Sequence, residues 1–328
     1  MEIRVFNKEL DSKKVVDLWN EVVKEDDFYY QFTEEEYTRF LFNNPHFKAE
    51  GAICAYEGDE LIGFACGMIR NEDMEKPEAP GYMNTIMVKK AYRRQGIGTK
   101  LLNAVEKYFA DCGKGASRCV FISPVNWPWY IPGTDHHNHP GCPAVPVNSD
   151  YYFFLLHNHY HVQGHIDAFH LPLAEYHMPE KVVQKMKENA EKGLTIEVYD
   201  PEKHYGVEEF CEAINNPGFA RSIRYNLQRE EPRPFLIVSD HGRMAGWTGP
   251  MYTEETGRGH LDGIAVDPNV RGGGLGKSLF CSLCEYSKKQ GSKFMTFFTG
   301  LDNPARYIYL GAGFDIVQTF AIMKKEFK

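Results

Sequence analysis

The chain of 328 residues is long enough for two domains of ordinary size, and its 43% hydrophobic and 25% charged residues describe a globular protein. A net charge of −8 disfavours an extended nucleic-acid-binding surface, and no apolar run reaches the roughly 18 residues of a membrane span. The eight cysteines are scattered and suggest no disulfide framework, and the opening MEIRVFNKEL lacks the apolar stretch of a secretory signal, so a cytoplasmic location is expected.

In chain order, MEIRVF predicts a strand and KKVVDLWNEVV a helix. TEEEYTRFLFN predicts a second helix, with Thr33 as N-cap and Glu36 at the capping-box position. GAICAYEGDELIGFACGMI predicts two strands around a Gly-Asp turn. A strand through Ile86 and Val88 then runs into AYRRQGIG and an amphipathic helix with Leu101, Leu102, Val105 and Tyr108 on one face. SRCVFIS follows as a strand, DYYFFLLHNHY as a helix, and a further strand ends near Leu173. The charged segment 177–193 is helix-prone and is taken as a connector. Beyond it come a strand (LTIEVYD), a helix (GVEEFCEAINN) and two strands (PFLIVSDHGRMAGWTGPM). A second glycine loop, NVRGGGLG, follows, then KFMTFFTG, ARYIYLGA and IVQTFAIMKKE.

The two loops share Arg-x-x-Gly-x-Gly, as Arg93, Gly96 and Gly98 and again as Arg271, Gly274 and Gly276, an offset of 178 residues. At that offset, without a gap, Ile86 and Val88 meet Ile264 and Val266, Asn84 meets Asp262, and Tyr82 meets His260. The helix faces coincide too, with Leu279, Phe280, Leu283 and Tyr286 in the second copy. A pattern repeated in register with its strand and helix marks a duplication, with halves 1–176 and 194–328. A strand that turns through glycines into a helix aims backbone N–H groups and the positive end of the helix dipole at one point, which suits phosphate. Neither loop has the spacing of an ATPase P-loop or of a dinucleotide-binding fold.

Arg-x-x-Gly-x-Gly after a strand ending Ile-x-Val resembles the acetyl-CoA-binding motif of the GNAT N-acetyltransferases. NPARYIYLGAGF, with Asn303, Ala305, Tyr309, Gly313 and Phe314, is similar to that family's closing motif. The resemblance implies an α/β fold of two tandem domains, each a mixed, mostly antiparallel sheet flanked by helices. It also implies acetyl transfer from acetyl-CoA to the amine of a small molecule, with no nucleic acid or membrane as partner. Nothing in the sequence sets the acceptor or the oligomeric state, although the acidic balance favours a small or cationic amine over an anionic one.

Carried over residue by residue, the resemblance places the diphosphate at Arg271, Gly272, Gly273, Gly274, Gly276 and Lys277 of the second copy. Ile264 and Val266 flank the acyl arm, Asn303 lies near the pantetheine, and Tyr309 protonates the leaving thiolate. His260 and Asp262 alternate on the approaching strand, and either serves as base or relay. The first copy offers Ile86, Val88, Arg93, Arg94, Gln95, Gly96, Gly98 and Thr99 to CoA. It departs elsewhere: Phe154 falls at the Tyr309 position, Asn158-His159 replaces Gly-Phe, and Asn84 stands for Asp262. Tyr151 or Tyr152 is left as a substitute acid. The second copy is therefore the expected catalyst, and the first a CoA binder or a structural partner. The rival reading is an acyl-CoA-binding sensor or scaffold without turnover.

From loop Arg to closing Asn is 55 residues in the first copy and 32 in the second, so residues 124–146 form an insertion rich in Trp, Tyr and Pro. It is either a substrate lid or a segment packed against the other domain. DHHNHPGC, with His136, His137, His139 and Cys142, is weighed as a zinc site against a polar loop, and the polar loop is preferred because no second Cys/His cluster accompanies it. Cys281 and Cys284 are expected as core thiols one helical turn apart, and Trp247 as a core residue.

Overall fold

The structure, a computed structural model, describes residues 1–24, 28–120, 124–270 and 272–327. The chain forms two compact units, one of Met1–Asp167 with Gln318–Lys328, the other of Ala168–Val317.

The first unit opens with β1 (Glu2–Val5) and α1 (Lys8–Val23). Asn7 caps α1, its side chain accepting from the N–H groups of Glu9 and Leu10. α2 (Glu34–Tyr37) starts on the capping box: Thr33 N–H donates to Glu36 Oε2 at 2.9 Å, and Glu36 N–H to Thr33 Oγ1 at 3.2 Å. Next come β2 (Ala52–Glu57), β3 (Glu60–Met68), β4 (Gly81–Val88), α3 (Ile97–Asp111) and β5 (Ala116–Cys119). Strands β1 to β4 pair antiparallel, and β5 joins β4 in parallel. The far end of the predicted strand, residues 121–123, lies outside the described residues. β2 explains why its sequence does not alternate. Ala52, Cys54 and Tyr56 pack with Trp19 of α1 and Tyr37 of α2, while Ile53 and Ala55 pack with Leu101, Leu102 and Val105 of α3. Both faces of the sheet are covered, so positions 52–56 carry no charge and are all buried.

The insertion contributes β6 (Trp129–Tyr130), β7 (Asn138–His139) and β8 (Val145–Pro146); α4 (Asp150–His157) and β9 (His161–Pro172) follow. The second unit holds α5 (Glu180–Ala190), β10 (Leu194–Val198), α6 (Val207–Ala213), α7 (Pro217–Leu227), β11 (Leu236–Asp240), β12 (Arg243–Gly249), β13 (Gly263–Val266), α8 (Leu275–Lys289), β14 (Phe294–Gly300) and α9 (Ala305–Gly311). Strands β10 to β13 pair antiparallel in sequence order. Leu236 and Val238 face α8 through Leu279 and Leu283, and Ile237 faces Phe210 of α6 and Ile223 of α7. The sheet is again sandwiched between helices. The segment taken from sequence as a connector supplies α5, which belongs to the second unit and packs there through Val182.

β15 (Asp315–Glu326) ends the chain, and from Gln318 onward it belongs to the first unit. There it pairs antiparallel with β5, Met323 opposite Cys119, and Lys325 Nζ reaches Glu106 Oε2 at 2.6 Å.

Candidate active site

β4 and β13 each lead through a short 3₁₀ turn into a glycine loop, and α3 and α8 start from a glycine in the left-handed region, Gly96 at φ +78° and Gly274 at φ +74°. Neither helix has a side-chain cap, so the protein's own side chains leave the first-turn N–H groups to a ligand. The turns match: Lys100 N–H donates to Gly96 O at 3.1 Å, and Ser278 N–H to Gly274 O at 2.9 Å. Gly272 and Gly273 also have positive φ, +114° and +57°, a backbone that side chains would strain. All three second-loop glycines are exposed. This cradle fits a diphosphate. Arg271, assigned to it from sequence, lies outside the described residues.

In the first unit the recorded β4–β5 pairs are Gly81 with Ser117 and Tyr82 with Arg118. In the second unit Arg258 bridges Phe294 in parallel and Gly259 N–H donates to Phe294 O at 2.8 Å, whereas β13 pairs with β12 alone among the described strands. A Cβ placed on Gly276 would lie 3.4 Å from Ile308 Cδ1 and 3.9 Å from Val266 Cγ2, so strand, loop helix and closing helix meet at this glycine.

The segment between that bridge and β13 carries His260 and Asp262. His260 Nδ1 lies 2.9 Å from Glu254 Oε1 and Nε2 lies 2.9 Å from Asp262 Oδ1. Ser222 Oγ of α7 donates to Asp262 Oδ2. Arg258 fixes Glu254 by two hydrogen bonds, and Tyr252 stacks on the His260 ring at 4.3 Å and 22°. Arg233 in turn lies over Tyr252, 3.5 Å from its ring centre. Burial of His260 opposes its charged form, but hydrogen bonds to Asp262 and Glu254 outweigh this and raise its pKa. Burial likewise works against the Glu254 carboxylate, yet His260 and Arg258 hold it down to about 2. Asp262 is lowered, chiefly by His260. The result is a charged relay whose exposed member is Asp262.

Tyr309 sits half-buried among Phe297 (4.2 Å), Phe280 (4.9 Å) and Phe169 (5.5 Å), and that desolvation pushes its phenol up to about 12. It therefore keeps its proton at neutral pH. Asn303 is exposed and its Oδ1 accepts from Ala305 N–H at 3.0 Å. Lys277 does not lie over the loop: its Nζ folds against Gly311, 2.5 Å from where a Cβ there would stand.

In the first unit, Tyr82 at the His260 position is buried and takes a hydrogen bond from Arg70 at 2.8 Å. Arg93 donates to Val88 O and pairs at 3.7 Å with Asp150, while Gln95 donates to Ala91 O. Arg94 is exposed at φ +62°, and Thr99 is half-buried. Phe154 lies over Gly98, 3.1 Å from a Cβ placed there, but the equivalent contact to Gly276 comes from Ile308. These contacts shift the closing helices by one residue from the sequence pairing of Phe154 with Tyr309, and put the fully buried Leu155 in the place of Tyr309. Either pairing leaves that position without a phenol. Tyr151, considered as a substitute acid, is half-buried with its hydroxyl 3.7 Å from Cys119 Sγ.

Sequence reasoning missed Glu254, Ser222 and Tyr252. Helix α7, which carries Ser222, was absent from the predicted elements, although Asn216 as N-cap followed by Pro217 signals its start. The insertion packs into its own unit. Trp127 lies against Trp19 at 4.5 Å and Tyr37 at 5.3 Å, and its Nε1 donates to Asn84 O at 3.2 Å. His139 stacks on Trp129, His136 lies against Tyr130, and Cys142 Sγ donates to Ala144 O. Among the described residues no group of three or more His, Cys, Asp or Glu is placed to hold a metal ion, and no helix is long and apolar enough to cross a membrane. Cys281, Cys284 and Trp247 are core residues.

Comparison with known proteins agrees with this geometry. The model of the acetyltransferase (GNAT) family matches residues 19–126 and 196–314. A glucosamine 6-phosphate N-acetyltransferase of Trypanosoma brucei brucei is 40% identical over 55 residues, which is 15% of this chain and 37% of that protein. Three solved structures share the fold over 99% of this chain. One is a GCN5-related glucosamine N-acetyltransferase region of a fungal multi-domain GH3 beta-N-acetylglucosaminidase (TM-score 0.63, 14% identity, 38% of that chain). Another is a GCN5-related N-acetyltransferase from Sphaerobacter thermophilus (0.58, 16%, 95%), and the third a tandem GNAT protein from the clavulanic acid biosynthesis pathway (0.57, 13%, 98%). The chain thus spans well under half the length of the trypanosomal and fungal proteins. With two matched segments and two uncapped glycine loops, the chain belongs to the acetyltransferase (GNAT) family, with two tandem domains.

Proposed function

We propose that the protein transfers an acetyl group from acetyl-CoA to the amine of a small molecule, and that the second unit performs the transfer. The observation that carries this reading is the Glu254–His260–Asp262–Ser222 chain at the start of β13, where the first unit has Tyr82 tied to Arg70. Acetyl-CoA supplies the acyl group as a thioester. Gly272, Gly273, Gly274, Gly276 and the first-turn N–H groups of α8 hold the diphosphate, with Arg271 adding charge. Ile264 and Val266 flank the acyl arm and Asn303 the pantetheine. Asp262 and His260 accept the proton of the amine nitrogen, and Tyr309 Oη holds a proton for the departing sulfur. The first unit keeps its cradle, from Ile86 and Val88 through Arg93, Arg94, Gln95, Gly96, Gly98 and Thr99, and holds CoA without turnover.

The duplicated halves, 1–176 and 194–328 joined by 177–193, are units of descent, while the compact units divide the chain elsewhere. Amino sugars, named for the trypanosomal and fungal relatives, head the acceptors to be tried. The test is thiol release from acetyl-CoA across amino sugars, polyamines and amino acids, with His260→Ala beside the parent chain. Release by the parent that is lost in the variant supports the reading. CoA binding without release across the panel supports a sensor instead.

A further inference from the structure

Helix α5 lies outside both segments that match the family model, yet it is fastened to the second glycine loop. Asn189, buried at 3% exposure, donates from Nδ2 to Gly273 O at 3.0 Å. A Cβ on Gly273 would meet Asn189 Oδ1 at 2.8 Å, and one on Gly274 would meet Lys185 Cγ at 3.3 Å. Lys185 is half-exposed, and its Nζ pairs with Glu188 at 2.7 Å.

We propose that α5 is a brace for the second cradle. Asn189 is a positioning residue that holds the Gly273 carbonyl and so keeps the neighbouring N–H groups turned toward the diphosphate of CoA, and Lys185 adds a cation at its rim. The physical reason is preorganisation. Three successive glycines with positive φ have much backbone freedom to lose when a ligand binds, and a buried side-chain hydrogen bond removes part of that cost beforehand. Donation to the carbonyl leaves the loop's own N–H groups uncommitted. This inference rests on the second loop being the cofactor cradle.

The test is equilibrium binding of CoA to the full chain carrying Gly96→Asp, which silences the first loop by placing a carboxylate at its uncapped helix start. Gly96 tolerates this change because its Cβ would point into open space and Asp accepts a left-handed backbone. On that parent, Asn189→Asp keeps the shape but loses the donor and should weaken CoA binding about tenfold or more. Asn189→Gln, which keeps the amide, should restore part of it. Lys185→Met, at a half-exposed position, should weaken binding about threefold, with the loss shrinking in high salt. Asn189→Asp binding CoA within twofold of its parent overturns the brace; should that variant not fold, unchanged binding by Lys185→Met overturns it. A parent that binds no CoA at all removes the reading of the second loop as cradle, and this inference with it.

Discussion

His260 Nε2 lies 2.9 Å from Asp262 Oδ1, and the other nitrogen of the same ring faces Glu254 at the same distance. An imidazole between two carboxylates holds its proton to higher pH than a free one. As an acceptor of the amine proton it works only when neutral, so kcat/KM should rise with pH through a value above the ordinary 6.5 of histidine. Asp262→Asn removes one raising partner while burial still opposes the charge, so the acid limb of the residual activity should move to lower pH. A pH–rate profile that is identical in the two proteins removes His260 from this role. Stability runs the other way: a raised histidine contributes fully below 6.5 and loses its contribution as pH rises through the folded value. Activity and this stabilising contribution therefore trade against each other in one pH window.

Tyr309 keeps its proton up to about pH 12 because aromatic rings exclude water from it. Tyr309→Phe preserves that packing and should lower turnover roughly 10- to 1000-fold, with little change in the melting temperature. Unaltered kcat would mean that the sulfur departs without this phenol.

Gly274→Glu introduces bulk at φ +74°, next to Lys185, and a carboxylate at an uncapped helix start. CoA titration should then lose the binding attributed to the second unit and leave that of the first, and acetyl transfer should disappear with it. Retained transfer would locate catalysis in the first unit.

Asp11 is fully buried and accepts from Arg4 twice at 2.7 Å, from Tyr56 Oη at 2.6 Å and from Asn7 N–H at 2.7 Å. Burial opposes its charge, but these donors win and its pKa is lowered. Asp11→Ala strands the Arg4 guanidinium and should cost about 3–5 kcal/mol in denaturant unfolding of the first unit. The stabilisation is present above the ordinary carboxylate range and is lost as pH falls through the folded value.

Trp127 joins an aromatic cluster with Trp19 and Tyr37 and closes on the Asn84 carbonyl. Trp127→Ala should destabilise the first unit by about 3–5 kcal/mol while leaving kcat of the folded enzyme near the parent value. A large fall in kcat at unchanged stability would restore the lid reading of the insertion.

The two glycine loops, the order of most strands and helices, and the Thr33–Glu36 capping box can be read from the residues alone. These depend on properties that act over a few residues: the backbone freedom of glycine, helical periodicity and side-chain capping. What surrounds them is set by long-range packing. Ser222 reaches Asp262 across 40 residues, Trp127 reaches Asn84 across 43, and Asn189 reaches Gly273 across 84. The return of residues from Gln318 onward to the first unit is of the same kind, since a strand's apolar pattern tells it to pair but not with which sheet. Local chemistry carries no record of such partners, because they are chosen when covered sheets and helices close on one another.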